Sequence, residues 1–316
     1  MKTLLTLIAL FSVSISYAQE VITTTLTDEH QQVKGAKIFM VPPDSFAVAT
    51  QFQGFQDADR SASLLVAVLE APVAGLIEAF TEEALKGQGV KMLKKERITL
   101  NGMSGAFITG EQKGYGITFN KYILVFGNEN FTALINGMYP KEDAKELDEL
   151  VIKALRSTVY VEEADTDPLG ALSFTINTED TKLQFATIIT GSALYSVDGN
   201  VPPETEDKTT FLVAQSIGSS IILDEQAFCI KRLKKMPYED IAFSEADITE
   251  LRVDDLHGYT IPATAIDPKS KEDRMIYQTM LFDGEGNYFI LLGTTNQNDE
   301  SNAPLFDKLT KSFKRK

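Results

Sequence analysis

The chain is poor in the residue types that build metal centres, disulfides and nucleophilic triads. Its 316 residues include one cysteine, two histidines and no tryptophan. A single cysteine, Cys229, excludes an internal disulfide, so the fold has to be stabilised by core burial. The histidines, His30 and His257, are far apart in the sequence, which argues against a structural zinc site. No serine has a Gly-x-Ser-x-Gly setting, so a Ser-His-Asp hydrolase is not expected either.

Positive charge is also scarce. Thirty Lys and Arg face 45 Asp and Glu, which gives a formal net charge of −15. This balance argues against nucleic acid and anionic membrane surfaces as partners. The glycines between Gly110 and Gly116 are spaced as in a hairpin, and they do not form a phosphate-binding loop between a strand and a helix. We therefore predict no cofactor and no metal.

The chain has a continuous hydrophobic run near its start and no long one elsewhere. Residues 1–18 combine Lys2, an apolar core at 4–11 and small residues at Ser16 and Ala18. This pattern is typical of a cleavable secretory signal, and the apolar core is shorter than the roughly twenty residues of a membrane span. Residue 19 is glutamine, so no lipid-anchoring cysteine follows the predicted cleavage after Ala18. We expect a periplasmic or secreted mature chain with no integral membrane segment.

The chain contains an internal similarity with a spacing of about 150 residues. The paired segments are 62–68 with 210–215, 98–106 with 251–259, and 126–131 with 282–289. Both series end in a helical stretch, closing at 155–157 and at 309–313. We predict a lead-in at 19–35, one domain at 36–160, an acidic linker at 161–169 and a second copy at 170–316. An acidic loop at 198–207 is a predicted insertion in the second copy.

The predicted fold class is α+β, with a mainly antiparallel sheet flanked by helices in each copy. Pro72 favours a helix start, and Gly87 and Gly89 favour its end. A second helix is predicted at 141–156 from its apolar spacing. Alternation and turn residues predict strands in the first copy at 37–41, 46–52, 62–69, 92–100, 103–112, 115–126 and 131–137.

The order of three strands, a helix, a four-strand meander and a terminal helix resembles the PsbP-like α/β/α sandwich superfamily. The opening turn at 39–46, which contains Pro42 and Pro43, and the meander at 102–137 carry this resemblance. The superfamily includes exported bacterial DcrB-like proteins. The resemblance implies a binding or accessory role and supplies no shared active-site residues.

Two basic clusters are the candidate interaction patch, since they stand out in so acidic a chain. The first cluster follows the predicted helix that starts at Pro72, and the second lies at nearly the same place in the second copy. A local role near a helix C-terminus, complementing the helix dipole, is the simpler alternative. The clusters are Lys91, Lys94, Lys95 and Arg97, and Lys231, Arg232, Lys234 and Lys235.

The expected function is an exported binding or accessory protein of the bacterial envelope, with an envelope protein as its expected partner. An enzyme is the less favoured alternative, namely a hydrolase using Asp283 or Glu285 in a cleft between the copies. A carrier of a small apolar ligand is the third alternative, with aromatic residues lining its groove. The candidate groove residues are Phe46, Phe52, Phe55, Tyr115, Phe119 and Tyr122.

Overall fold

Strands in which apolar and polar residues alternate, together with amphipathic helices, give a mixed α+β structure. Its sheets are mostly antiparallel, as predicted. The computed structural model describes residues 20–114, 116–189, 191–296 and 302–316. The predicted signal at 1–18 lies outside these residues. Over the described ranges there are five α-helices, two eight-stranded sheets and two small sheets.

The first half of the chain forms one large sheet with the strand order β1-β7-β8-β9-β10-β6-β5-β4. The pairing is antiparallel throughout except between β1 and β7, which run parallel. Its elements are β1 (Glu20–Ile22), β2 (Gln31–Gln32), β3 (Ile38–Met40), β4 (Ala47–Val48), β5 (Gly54–Asp57), β6 (Ala62–Leu69), α1 (Val73–Ala79), α2 (Glu82–Gly87), β7 (Val90–Leu100), β8 (Met103–Gly114), β9 (Ile117–Gly127), β10 (Thr132–Pro140), α3 (Ala144–Arg156) and β11 (Val159–Tyr160).

The second half forms another large sheet with the order β13-β14-β15-β20-β19-β18-β16, in which β17 also pairs with β18. Its elements are β12 (Phe174–Thr175), β13 (Gln184–Ile189), β14 (Ser192–Ser196), β15 (Thr210–Gln215), α4 (Glu225–Leu233), β16 (Glu239–Ala242), β17 (Thr249–Val253), β18 (Leu256–Ile266), β19 (Asp273–Phe282), β20 (Tyr288–Thr295), α5 (Asn302–Lys311) and β21 (Lys314–Arg315).

The strands of the two large sheets are arranged in the same order. Each sheet begins with three consecutive strands, β4 to β6 in the first and β13 to β15 in the second. The third of these strands pairs with the last strand of the following meander, β10 or β20, and the earlier meander strands lie beyond it in reverse chain order. In each half, one or two helices precede the meander and one helix follows it. A short strand then pairs near the start of the half, β11 with β3 and β21 with β12.

Helices cover both faces of each sheet, because alternate residues of a strand point to opposite sides. On β9, Leu124 and Phe126 join the core under α3, whereas Val125 joins Val73 and Ile77 of α1. In the second half, Phe306 of α5 packs with Phe211 and Leu291 on one face. Cys229 and Leu233 of α4 pack with Met280 and Ile276 on the other.

The prediction of a single helix after Pro72 is wrong, because the segment forms two helices, α1 and α2. Phe80 ends α1, and Thr81 caps α2 by accepting a hydrogen bond at Oγ1 from the N–H of Ala84, at 3.1 Å. Thr81 has extended backbone angles, and Glu82 and Glu83 follow it in the first turn. A capping threonine followed by acidic residues is a helix start, and here it overrides the continuous apolar stripe.

The prediction of a strand at 46–52 is also wrong, because the strand observed there is much shorter. Only Ala47 and Val48 are extended, and the next strand begins at Gly54. A Cβ at Gly54 would lie 1.8 Å from the carbonyl oxygen of Leu64, and its φ is +142°. Glycine is therefore required where β5 approaches β6, and the strand starts there.

The connecting segments make specific contacts. The acidic loop at 198–207 joins β14 to β15, where the insertion was expected. The predicted linker is held against the first half, since Gln32 Nε2 donates to Asp165 O at 2.9 Å and Lys37 Nζ to Glu162 O at 2.6 Å. The predicted lead-in supplies β1, which extends the first sheet at the edge of β7.

Candidate functional surface

The first basic cluster lies on β7, so we call it the β7 basic cluster, and most of its members bind within the molecule. Lys95 Nζ donates to the carbonyl oxygens of Ile77, at 2.6 Å, and Phe80, at 2.9 Å, where α1 ends. This is the local alternative, a cation against the carbonyls at a helix C-terminus. Lys94 pairs with Glu96, at 2.7 Å, and Arg97 pairs with Glu78. The fourth member, Lys91, is exposed.

The second basic cluster, which we call the α4 basic cluster because it ends that helix, has a different setting. Its members lie in the last turn of α4 or just after it, are all exposed, and have no carboxylate partner among the described residues. The Arg232 guanidinium lies 5.9 Å from the ring centre of Tyr288, and Lys234 Nζ lies 5.6 Å from that of Phe243. The expectation of equivalent positions is wrong, because one cluster is on a strand and the other ends a helix.

A loop just before α4 exposes aliphatic side chains. In this apolar loop, residues 217–223, Ile221 is 92% exposed and Leu223 is 95% exposed. Ile217 is 56% exposed. Single apolar residues at a surface are ordinary, whereas three exposed aliphatic side chains within seven residues of one loop require an explanation. Sequence reasoning missed these side chains, because apolar residues in a sequence are read as core.

The apolar loop is held in place at three points. Ile222 packs into the core with Phe228 of α4. The N–H of Ser220 donates to Gly286 O at 2.9 Å, and the N–H of Gly218 donates to Gln51 Oε1 at 2.9 Å. Gly286 has a φ of +93°, and a Cβ there would lie 2.4 Å from Ser220 O. The exposed side chains are therefore presented by an anchored backbone.

The apolar loop and Arg232 both lie next to the turn that joins β19 to β20. Ser220 is bonded to Gly286, and Arg232 lies over Tyr288, two residues further along the chain. These contacts place Arg232 beside the anchored part of the apolar loop. We call the apolar loop and the α4 basic cluster together the docking surface.

A histidine between two carboxylates fastens the start of α4. Nδ1 of His257, on β18, lies 2.6 Å from Glu225 Oε2, and its Nε2 lies 3.0 Å from Glu250 Oε1. The hydrogen bond to Glu225 is the main cause that raises the pKa of His257, with Glu250 adding to it and burial opposing it. Asp224 caps the helix by accepting from the N–H of Ala227 at 2.9 Å. Asp224 and Glu225, which follow the apolar loop in the sequence, thus have partners, whereas the exposed Glu285 lines the same cleft as Ser220 and Ile222.

The carboxylates proposed for a hydrolase lie in a turn. Asp283 Oδ1 accepts from the N–H groups of Glu285, at 2.8 Å, and Asn287, at 3.0 Å. Its Oδ2 accepts from Asn287 Nδ2 at 2.7 Å. Glu285 lines a cleft of 270 Å³ within the second half. Neither residue lines the 550 Å³ cleft between the halves, whose lining includes Glu70, Ala186 and Glu204.

The aromatic residues considered for an apolar groove pack mainly inside the first half. Phe55 is fully buried, and Phe46, Phe52 and Phe119 are nearly so. Tyr122 donates a hydrogen bond to Asp148, and burial is the main cause that raises its pKa to about 12. Tyr115 lies outside the described residues. The described members of this set build core and do not line a ligand groove.

Cys229 and His30 both have local structural roles, one in core packing and the other in hydrogen bonding. Cys229 is fully buried, as the sequence predicted, and burial raises the pKa of its thiol to about 12. His30 Nε2 lies 2.9 Å from Ser157 O and its Nδ1 lies 2.9 Å from Thr27 Oγ1, which tethers the lead-in to the end of α3. In the part of the chain that the structure describes, no three His, Cys, Asp or Glu are grouped as metal ligands.

No protein-family model matches the chain, and no curated protein matches it. It is similar to the structure of LpqN, described as involved in cell envelope biogenesis of Mycobacterium tuberculosis, with 14% identity and a TM-score of 0.33 over 45% of this chain and 82% of that one. It is also similar to the immunity protein TplEi of the T6SS of Pseudomonas aeruginosa, with 9% identity and a TM-score of 0.32 over 90% and 97%.

The Tle4–Tli4 complex is a third similar structure, with 10% identity and a TM-score of 0.33 over 85% of this chain and 96% of the matched one. None of the helices in the described ranges has the length and apolar character of a membrane span.

Proposed function

We propose that the chain is an exported binding or accessory protein of the bacterial envelope, and that it works through the docking surface. The observation that carries this proposal is the pairing of nearly fully exposed Ile221 and Leu223 with four cations that have no carboxylate partner among the described residues. Exposing such side chains gives nothing to the folded state, so a partner that covers them is the reason to keep them.

The proposal includes the export signal at 1–18, cleavage after Ala18, and a periplasmic or secreted mature chain. It also includes two tandem copies of a PsbP-like domain, at 36–160 and 170–316. The shared strand order of the two sheets supports a duplication. Gly137 and Gly293 support it as well, because each lies under the helix that follows its meander, against Val151 and Phe306 respectively.

The duplication explains why the docking surface occurs once. In the first half, residues Glu70 to Pro72 lead directly from β6 into α1. In the second half, nine residues separate β15 from α4, and the apolar loop lies among them. The loop was therefore added to one copy of a common framework, which is how a binding surface is usually acquired on a stable scaffold.

The test is binding of the chain that begins at Gln19 to an isolated envelope fraction, measured by sedimentation. We expect the doubly substituted variant Ile221→Ser/Leu223→Ser to lose most of the bound fraction. The matched control is Lys91→Ser/Leu93→Ser, on exposed positions of β7, and it should bind as the unsubstituted chain does. Equal binding of all three proteins would contradict the assignment of the surface. N-terminal sequencing of the exported chain checks cleavage after Ala18.

A further inference from the structure

The docking surface has the shape of a protrusion. A side chain that is 92% or 95% exposed has almost no neighbours, so it stands clear of the surrounding surface. A protein partner would need a matching pocket around each such side chain. A lipid bilayer accepts any apolar protrusion at its interface, because its acyl region has no fixed shape. The protrusion of Ile221 and Leu223 therefore favours a bilayer over a protein.

The charge next to the protrusion has the sign that an anionic bilayer attracts. Lys231, Arg232, Lys234 and Lys235 follow the loop within three turns of α4, and all are exposed. Between the loop and the cluster in the sequence, Asp224 hydrogen-bonds to the helix N-terminus and Glu225 pairs with His257. The exposed Glu285 is a further carboxylate beside the loop, so the four cations outnumber it. Cations beside an apolar insertion are the usual arrangement of proteins that lie on membranes.

The net charge of −15 argues against such a surface at long range, as the sequence indicated. Screening limits that repulsion to a distance of about 8 Å at physiological salt. At contact, the local cluster therefore decides the sign of the interaction. This gives a specific requirement, because binding then depends on both the anionic headgroups and the apolar loop.

We propose that the docking surface binds the surface of an anionic phospholipid bilayer. The side chains of Ile221 and Leu223 enter the interfacial layer, and the α4 basic cluster pairs with headgroup phosphates. Ile217 lies at the margin of the inserted loop. This inference rests on the proposed function and names its partner as lipid, whereas the sequence favoured an envelope protein.

The chain offers a direct probe, because it contains no tryptophan. The substitution Ile221→Trp, in the chain that begins at Gln19, gives a single tryptophan, which can be excited apart from the tyrosines, at the tip of the apolar loop. Mixed phosphatidylcholine–phosphatidylglycerol vesicles should shift its emission to shorter wavelength, and vesicles of phosphatidylcholine alone should not. Leu93→Trp, which is 55% exposed beside the β7 basic cluster, is the matched control and should not shift with either vesicle.

Titration of the same vesicles measures affinity. On the Ile221→Trp background, Leu223→Ser should weaken binding by about tenfold, since one buried aliphatic side chain is lost. Lys231→Glu/Lys234→Glu should weaken it by at least about tenfold, and added salt should do the same. Far-ultraviolet circular dichroism of each variant confirms that the fold is intact.

Several outcomes overturn the proposal. Equal binding to neutral and anionic vesicles contradicts the role of the cations, and an emission shift of the Leu93→Trp control contradicts the choice of surface. Absence of vesicle binding, together with loss of envelope binding on Ile221→Ser/Leu223→Ser, assigns the surface to a protein partner and leaves the proposed function in place. Absence of both kinds of binding contradicts both proposals.

Discussion

Single substitutions can distinguish exposed from packed residues among three adjacent aliphatic residues, Ile221, Ile222 and Leu223. The first and third are almost fully exposed, and the second packs into the core beneath α4. Replacing Ile221 or Leu223 by serine removes little buried area, so we expect the free energy of unfolding to change by less than about 0.5 kcal/mol. Replacing Ile222 by serine loses a partly buried side chain and places a hydroxyl against apolar neighbours, which should cost about 1–2 kcal/mol.

Urea unfolding followed by circular dichroism measures this difference, with the slope of each transition checked for equality. Each variant replaces a four-carbon aliphatic side chain by serine within three positions, so differences in the unfolded chain largely cancel. A loss of stability in Ile221→Ser or Leu223→Ser as large as in Ile222→Ser would show that the loop is packed against the protein. The reasoning for a docking surface would then fail.

Three further outcomes follow from single sites. The pKa of His257 is raised in the folded chain, so its ion pairs stabilise the fold fully below the ordinary value of 6.5 and cease to do so as the pH rises through the raised value. His257→Gln should therefore remove about 1 kcal/mol of pH-dependent stability from urea unfolding between mildly acidic and alkaline pH, and parallel pH profiles would refute this. Cys229, whose thiol pKa is raised by burial to about 12, should react with thiol reagents at neutral pH only after unfolding, so rapid labelling of the native chain would contradict its burial. Gly293→Ala places a Cβ 2.4 Å from the ring of Phe306 and should cost about 1–3 kcal/mol in thermal unfolding, whereas an unchanged midpoint would show that α5 is not seated there.

Much of the framework follows from local pattern. The meander β7 to β10 and helix α3 lie where alternation and helical spacing predicted them, because each repeats its signal over nine or more residues. Short signals were weaker. Thr81 caps a second helix inside a continuous apolar stripe, and Gly54 starts a strand because Leu64 approaches it from a distant part of the sheet. The parallel pairing of β1 with β7 joins residues far apart in the chain, so no local pattern reports it.

The candidate surface, like the fold, could be predicted from the sequence only in part. The sequence identified eight basic residues, and it took the three-dimensional contacts of Lys95 with Ile77 and Phe80 to separate one cluster from the other. The exposed positions of Ile221 and Leu223 were not predictable, since burial depends on what the rest of the chain places around a residue. The clamp of His257 by Glu225 and Glu250 likewise needs α4 and two strands in place.

The central claim is that the second half carries a binding surface at the apolar loop and the α4 basic cluster. Sedimentation with an isolated envelope fraction tests it most directly, comparing the chain that begins at Gln19 with Ile221→Ser/Leu223→Ser and with the control Lys91→Ser/Leu93→Ser. The account predicts that the first and third proteins sediment with the fraction and that the loop variant stays in the supernatant. Cosedimentation of the loop variant to the same extent would contradict it.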